Sequence, residues 1–272
     1  MRLSISNIAW DPQDDEAIAK LLQSLGIANI DIAPGKYFKN FQTTTTAEIL
    51  QVKKWWKDRG IDIVGMQALL FGTEGLNLFS STADKMREHL QEVMRIAGEL
   101  GATKLVFGSP KNRDRSGLTD IETQQKADDF FSRLGGYAKS KGVVFCLETN
   151  PTAYQCNFMT TMNETAEVVN RINHPNIRLQ LDTGALLMNQ ESEMLIPKYA
   201  SIIGHIHLSE PQLKPLGSMN SDHAKLADQF KVFAKEKIAT IEMVKPTETL
   251  EPLKQIEKSL RWALENYGQK GY

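Results

Sequence analysis

Four short apolar segments in the second half of the sequence each end in a side chain that can bind a metal ion. The segments CLETN, LQLDTG, HIHLSE and TIEM supply Glu148, Asp182, His207 and Glu242, at spacings of 34, 25 and 35 residues. Three carboxylates held close together repel one another, and a divalent cation removes that repulsion. A mixed carboxylate and imidazole set suits Mn²⁺, Mg²⁺, Co²⁺ or Zn²⁺. We therefore predict that these four residues bind one divalent cation.

The two glutamates of this set are also candidates for acid and base catalysis. Inversion at a carbon next to a carbonyl requires a base on one face and an acid on the other. A cation that chelates the carbonyl and an adjacent hydroxyl would stabilise the enediolate between the two transfers. Glu148 and Glu242 could serve both faces, which gives epimerisation. If one glutamate makes both transfers, the result is aldose–ketose isomerisation, and the sequence leaves both outcomes open.

Seven further residues lie near the predicted strand ends and are candidates for substrate binding. His205 shares the strand face of His207, one layer deeper, where it could orient a ligand carboxylate or hold a substrate hydroxyl. Trp10 could pack on a sugar or on the rim, and His223 could contact substrate or only begin a helix. Lys245 could hold an anionic group or be a solvated loop residue. The full set is Asn7, Trp10, Gln67, His205, Glu210, His223 and Lys245.

A basic loop, SPKNRDRSG, follows the fourth predicted strand and contains Lys111, Arg113 and Arg115. A phosphate clamp is one interpretation of these cations, and a solvated loop is the one that we favour. The loop LLFGTEGLNLF at 69–79 is apolar with glycines, so it could be a lid or a partner surface. Exposed apolar residues there would favour a homodimer.

Eight apolar segments alternate with helical patterns along the entire chain. This alternation is typical of parallel βα units, and eight units without a linker predict one closed (β/α)8 barrel over residues 1–272. Active sites of such barrels lie at the C-terminal ends of the strands, where the four predicted ligands would meet. The predicted strands are 3–9, 27–33, 61–67, 103–109, 143–149, 177–183, 203–209 and 238–244. The predicted helices are 14–26, 46–60, 83–101, 122–142, 163–172, 191–200, 223–237 and about 248–267.

The composition argues against several classes of partner. The 272 residues carry 32 basic and 33 acidic side chains, so no global field favours nucleic acid or anionic membranes. No apolar run approaches the roughly 20 residues that span a bilayer. We therefore expect a soluble cytoplasmic protein that acts on a small molecule.

The ordered strand ends resemble the xylose-isomerase-like barrel superfamily, in particular its sugar phosphate isomerase/epimerase branch of ketose 3-epimerases and hydroxypyruvate isomerases. The resemblance covers nearly the whole chain in architecture, with its specific motifs in the second half. It implies a carbohydrate substrate, one Mn²⁺-type ion on Glu148, Asp182, His207 and Glu242, and proton exchange by the two glutamates. Ala185 and Leu213 stand where ketose 3-epimerases usually have a histidine and an arginine that help to hold substrate, so we expect shared metal chemistry and a different substrate.

Three other functions fit the same barrel. A lyase resembling inosose dehydratases would use the same residues to expel a hydroxyl, and its product would be lighter by one water. An abasic-site endonuclease is disfavoured, because those enzymes bind several metals with more histidines than the five in this chain. A non-catalytic sugar-binding protein would be favoured if the chain bound no metal.

Overall fold

Eight parallel strands close into a barrel in the computed structural model, which describes residues 1–247 and 251–268. Each strand pairs with its neighbours in sequence, and β8 closes the ring against β1. The strands are β1 Arg2–Ser6, β2 Asn29–Ile32, β3 Asp62–Met66, β4 Lys104–Phe107, β5 Val144–Glu148, β6 Ile177–Asp182, β7 Ile203–Ser209 and β8 Ile238–Glu242. The predicted (β/α)8 TIM barrel is confirmed.

Helices surround the barrel in the order that the sequence pattern predicts. Those in the described ranges are α1 Asp15–Ser24, α2 Thr46–Lys57, α3 Ala83–Leu100, α4 Asp120–Ser140, α5 Met162–Ile172, α6 Thr183–Asn189, α7 Leu195–Tyr199, α8 His223–Phe233 and α9 Pro252–Tyr267. Their apolar faces pack on the strands: Leu90 and Met94 of α3, four residues apart, are both fully buried. Within the described part of the chain, no helix is both long and apolar enough to cross a bilayer.

Local hydrogen bonds fix where the longer helices begin. Thr45 accepts from the backbone N–H of Glu48, and the Glu48 carboxylate accepts from the backbone N–H of Thr45 at 2.8 Å. Thr119 and Glu122 form the same reciprocal cap at the start of α4. Each cap satisfies N–H groups that have no partner inside the helix. The run of threonines at 43–46 therefore leads into a helix cap.

Two elements differ from the sequence prediction. The structure adds α6, which begins directly after Asp182 because that side chain accepts the N–H of Ala185. The helix predicted over 191–200 is only Leu195–Tyr199. The start of the last predicted helix, at 248–250, lies outside the described residues, and α9 begins with Pro252, a residue that suits a first helical turn.

Most apolar side chains of the loop at 69–79 belong to the core. Leu69, Leu70, Leu78 and Phe79 are all buried, whereas Phe71 is 88% exposed. The expectation of an exposed apolar surface here is wrong for every one of these residues except Phe71, because the others pack against the outside of the barrel. The homodimer stays a prediction.

Candidate metal centre and active-site cavity

The last four strands bring the four predicted ligands to one end of the barrel. Glu148, Asp182 and Glu242 are the final residues of β5, β6 and β8, and His207 pairs with Asp182 in register from β7. Each of the four offers one nitrogen or oxygen atom, and these atoms all lie within 4.8 Å of one another. His207 Nδ1 is 3.2 Å from Glu242 Oε2 and 3.6 Å from Glu148 Oε1.

Asp182 is held in place through both of its carboxylate oxygens. Oδ1 accepts the backbone N–H of Ala185 at 2.6 Å, and Oδ2 accepts the hydroxyl of Ser209 at 2.6 Å. Asp182 therefore caps α6 and faces the other two carboxylates from one fixed position. Ser209 also accepts the N–H of Gly184 at 2.9 Å, so β7 and the start of α6 are joined at this point.

A buried guanidinium and an amide hold Glu148 in position. Arg113 donates to the main-chain oxygen of Glu148 at 2.8 Å and to Asn150 Oδ1 at 2.6 Å. Asn150 in turn donates to Glu148 Oε2 at 3.2 Å. The favoured interpretation of Arg113 as a solvated loop residue is wrong: it is fully buried, because its guanidinium bonds to the end of β5 and to Asn150.

The Glu148 carboxylate also needs a glycine beside it. A Cβ atom at Gly108, just after β4, would lie 1.8 Å from Glu148 Oε2. Any larger residue would therefore occupy the position of that oxygen.

Glu242 is held by a second amide on the other side of the centre. Gln67, which follows β3, donates through Nε2 to Glu242 Oε1 at 2.5 Å. The predicted substrate ligand Gln67 therefore contacts a catalytic candidate. Each glutamate thus has one oxygen on a carboxamide, while its other oxygen faces His207 Nδ1.

The unpaired atoms of the centre fit a divalent cation. Glu148 Oε1 and His207 Nδ1 are buried and have no hydrogen-bond partner among the described residues. Burial and the charges of Glu242 and Glu148 raise the pKa of Asp182 to about 8. Burial alone would lower the pKa of His207, but Glu242, Asp31 and Glu148 together hold it well above its usual value. Without a cation the centre takes up protons, and a cation would replace their positive charge.

A second layer lies deeper in the barrel. His205 Nε2 donates to Asp31 Oδ2 at 2.6 Å and lies 3.4 Å from the hydroxyl of Thr240. Asp31 lies inside the predicted strand 27–33 and not at its end, so the sequence analysis did not identify it. Its signal was a single carboxylate within the apolar run IANIDIA.

A cavity of about 410 Å³ opens above the metal ligands. Its wall includes Ala185 and Leu213, the two positions at which the sequence departs from the ketose 3-epimerase pattern. Main-chain and side-chain atoms of these residues form the wall: Gly108, Pro110, Glu148, Asn150, Pro151, Tyr154, Asp182, Gly184, Ala185, Glu210, Gln212, Leu213 and Glu242. Of the predicted substrate ligands, the wall includes Glu210.

Four other predicted substrate ligands have protein partners outside this wall. Trp10 is 2% exposed and donates to Asp15 at 2.7 Å, and Asn7 accepts the N–H of Ala33 at 2.7 Å. His223 is bonded to the Tyr267 hydroxyl at 2.6 Å, and it lies 3.4 Å from Glu210. Lys245 donates to Asp11 at 2.5 Å. The structure therefore brings Gln67 and His205 to the centre, and these four residues do not line the cavity wall.

Comparison with known proteins agrees with this architecture. The family model described as xylose isomerase-like TIM barrel matches residues 19–266. The chain belongs to the xylose isomerase-like TIM barrel family. None of the curated proteins matches its sequence.

Solved structures share the fold of this xylose isomerase-like barrel at low sequence identity. D-psicose 3-epimerase with D-tagatose, from Clostridium cellulolyticum H10, is 16% identical with a TM-score of 0.82, covering 98% of this chain and 99% of that one. The 3-keto-D-glucoside 4-epimerase of E. coli is 16% identical with a TM-score of 0.78, over 96% and 98% of the chains. The IolI protein with a bound zinc atom is 16% identical with a TM-score of 0.76, over 100% and 99%.

Proposed function

We propose that this barrel is a divalent-metal-dependent isomerase or epimerase of a small sugar or hydroxy-ketone. The observation that carries the proposal is the convergence of Glu148, Asp182, His207 and Glu242, whose ligand atoms lie within 4.8 Å of one another below a cavity. The epimerases among the similar structures support the same class of reaction. Mn²⁺ is the first choice of cation, and Mg²⁺, Co²⁺ or Zn²⁺ would suit the same donor atoms.

The two glutamates are arranged to transfer protons next to a carbonyl. Both border the cavity, and each is fixed by one amide, Glu148 by Asn150 and Glu242 by Gln67. A fixed carboxylate loses little freedom when it accepts a proton from substrate carbon. When bound, the cation supplies Lewis-acid polarisation of the substrate oxygens. One glutamate removes the proton, and either the other glutamate or the same one returns it.

The cavity wall favours an uncharged substrate. Among the described residues that form it, four carry carboxylates and none is a lysine, arginine or histidine. The negative groups outnumber the charge of one divalent cation, so a phosphate ester would be repelled. Ala185 and Leu213 add apolar surface where a heavily hydroxylated substrate would need donors. We therefore propose a neutral ketose or hydroxy-ketone with few hydroxyls on the side that faces these two residues.

The test measures metal binding first and carbon-bound hydrogen exchange second. Metal-stripped protein is titrated with Mn²⁺ by calorimetry, and we expect saturation near one ion per chain. Loaded protein is then incubated in deuterated water with neutral ketoses of three to six carbons and with their phosphate esters. Proton NMR is expected to show loss of the signal next to the carbonyl for a neutral ketose. Faster exchange of the phosphate esters would contradict the uncharged substrate.

Variants separate the proposed chemistry from a binding role. Glu148→Gln and Glu242→Gln are each expected to slow exchange by at least about 100-fold, the usual contribution of a positioned acid or base. Glu88→Gln, an exposed change on α3, is the control and leaves exchange unchanged. Full exchange in both site variants would rule out the acid and base assignment, and full exchange in one of them would leave the other glutamate to make both transfers. A product lighter by one water would instead identify a lyase.

A further inference from the structure

Asp31 is a charged residue inside the barrel that the proposed reaction does not use. It lies in β2, and its side chain has no solvent exposure. Burying a carboxylate is costly unless it is paired and hydrogen-bonded. Its Oδ2 atom accepts from His205 Nε2 at 2.6 Å and lies 3.7 Å from His207 Nε2. Its Oδ1 atom has no partner among the described residues. Two histidines therefore face one buried acid.

The two ring nitrogens of His207 face different groups. Nδ1 faces the glutamates, with Glu242 Oε2 at 3.2 Å and Glu148 Oε1 at 3.6 Å. Nε2 faces Asp31 on the opposite side of the ring. Only one nitrogen of a neutral imidazole has a free lone pair, and the partner of the other nitrogen decides which one. A carboxylate next to Nε2 favours the proton there and leaves the lone pair of Nδ1 to the metal side.

The neighbouring strand leaves space for the Asp31 carboxylate. Gly65 of β3 pairs with Asp31, and a Cβ atom at Gly65 would lie 2.5 Å from Asp31 Oδ1. The pairing of β2 with β3 is irregular between Ile30 and Asp31, which is the position where the carboxylate turns inward. A β-bulge of this kind commonly redirects a side chain towards a functional site.

We propose that Asp31 is a positioning residue for the cation, acting through His207. His207 Nε2 has no hydrogen-bond partner among the described residues, and the Asp31 charge 3.7 Å away favours the proton on that nitrogen. Nδ1 is then the metal-binding nitrogen, and His205 fixes the Asp31 carboxylate. The inference rests on the proposed metal centre. Carboxylate partners of metal-binding histidines fix the ring and raise its basicity, and their loss usually weakens metal binding 10- to 100-fold.

The variant Asp31→Asn tests this role with almost no change of shape. An asparagine keeps the size of the side chain but removes its negative charge, so the proton of His207 is no longer favoured on Nε2. A proton on Nδ1 removes the metal-binding lone pair. We expect the Mn²⁺ dissociation constant of Asp31→Asn, measured by calorimetry, to rise about 10- to 100-fold while its circular dichroism spectrum matches the wild type.

The matched control is Asp15→Asn at the start of α1. Asp15 is also a buried carboxylate, and it accepts from Trp10 at 2.7 Å and from Tyr37 at 2.9 Å, away from the metal ligands. Its substitution removes a buried charge with two donors, so a general loss of stability would appear in both variants. Mn²⁺ affinity is expected to fall in Asp31→Asn and to stay unchanged in Asp15→Asn.

A measurement on the wild-type protein keeps the proposal testable if Asp31→Asn does not fold. Protein with ¹⁵N-labelled histidine is loaded with Zn²⁺, a diamagnetic ion, and the ring nitrogens of His207 are assigned by NMR. The expected spectrum has a proton on Nε2 that exchanges slowly with water and has no proton on Nδ1. A proton on Nδ1 would overturn the proposal.

The possible results separate this proposal from the proposed function. Wild-type protein that binds no Mn²⁺ or Zn²⁺ would overturn the metal centre and this inference with it. Wild-type binding together with an unchanged affinity in Asp31→Asn would overturn the role of Asp31 alone. Equal weakening in Asp31→Asn and Asp15→Asn would also overturn it, because the effect would not depend on contact with His207.

Discussion

At the scale of single residues, the two oxygens of each glutamate of the centre have different surroundings. One oxygen accepts a hydrogen bond from an amide, and the other faces His207. Glu148 has Asn150 on Oε2, Glu242 has Gln67 on Oε1, and the remaining oxygens approach His207 Nδ1. Geometry that is fixed before substrate arrives lowers the cost of reaching the reactive arrangement. The two amides therefore support the chemistry that we propose for the glutamates, although neither amide transfers a proton.

Gly108 offers a direct test of this geometry. A methyl group there would collide with Glu148 Oε2, and the end of a flexible side chain can move away with little strain on the fold. We expect Gly108→Ala to keep a thermal midpoint close to that of the wild type while its Mn²⁺ affinity falls by at least about 10-fold, measured by calorimetry.

Gly136 in α4 provides the control for Gly108. No atom lies within 4 Å of a Cβ at this position, and alanine is the better helix former, so Gly136→Ala is expected to be neutral or slightly stabilising. Its metal affinity is expected to equal that of the wild type. Wild-type affinity in Gly108→Ala would show that Glu148 does not need its present position.

The sequence predicted which four side chains meet at the centre, but it did not predict that Arg113, Asn150 and Ser209 would hold them. Glu148, Asp182 and Glu242 could be predicted because each of them lies near the end of a predicted strand. Arg113 could not be found, since a basic loop with alternating charges predicts solvent exposure. Its burial depends on a turn that brings distant segments together, and such contacts are not written in local pattern.

At the scale of elements, the ends of strands and helices meet at the functional residues. Asp182 is both the last residue of β6 and the N-cap of α6. The N–H of the helix therefore holds its carboxylate, and the carboxylate stabilises the first turn of the helix. The predicted strand 177–183 hid this helix, because the apolar run GALLM that follows has too few residues to show a helical period. Strand positions were otherwise predicted well, since β-rich runs alternate clearly with longer amphipathic segments.

The cap of α2 can be tested against its neighbour in the threonine run. Thr45→Ala removes the side chain that accepts from Glu48, and we expect the free energy of unfolding to fall by about 1 kcal/mol. Thr43→Ala is the control, because its hydroxyl makes only a 3.4 Å contact with the Asn40 carbonyl. Chemical denaturation of both variants measures the difference. Equal effects would mean that the cap adds no stability.

The turn after β7 contains a strained pair that also borders the cavity. Gln212 and Leu213 have φ values of 59° and 53°, in the left-handed region that favours glycine. The Gln212 N–H binds the Tyr154 hydroxyl at 2.9 Å, which any residue at 212 can do. We expect Gln212→Gly to raise the free energy of unfolding by roughly 0.5 to 1 kcal/mol, measured by urea denaturation. A loss of stability would show that the side chain outweighs the strain.

At the scale of the whole molecule, the charges of the centre tie the stability of the barrel to pH. The pKa of Asp182 is raised from 3.8 to about 8, so the folded state holds a proton that the unfolded state releases. Stability is therefore lost as the pH rises from about 4 to about 8. The raised pKa of His207 acts in the same direction above its usual 6.5. The lowered pKa of Glu242 contributes only below about 4.5.

This linkage predicts a difference between metal-free and loaded protein. The thermal midpoint of the metal-free barrel is expected to fall from pH 5 to pH 8 by more than that of Asp182→Asn. Mn²⁺ should raise the wild-type midpoint most at pH 8, because binding no longer has to displace a proton. Differential scanning calorimetry at the two pH values measures both effects. A wild-type profile parallel to that of Asp182→Asn would contradict the raised pKa.

The two glycines beside the acidic side chains have a practical consequence for directed evolution. Gly65 and Gly108 leave the space that the carboxylates of Asp31 and Glu148 occupy. A larger residue at either position would displace a carboxylate although the acidic residue itself is unchanged. The side chains of Ala185 and Leu213 line the wall, and the N–H of Ala185 that holds Asp182 belongs to the main chain. A library that varies positions 185 and 213 and keeps both glycines should therefore change which compound binds. Each variant should keep the residues that we propose for proton transfer.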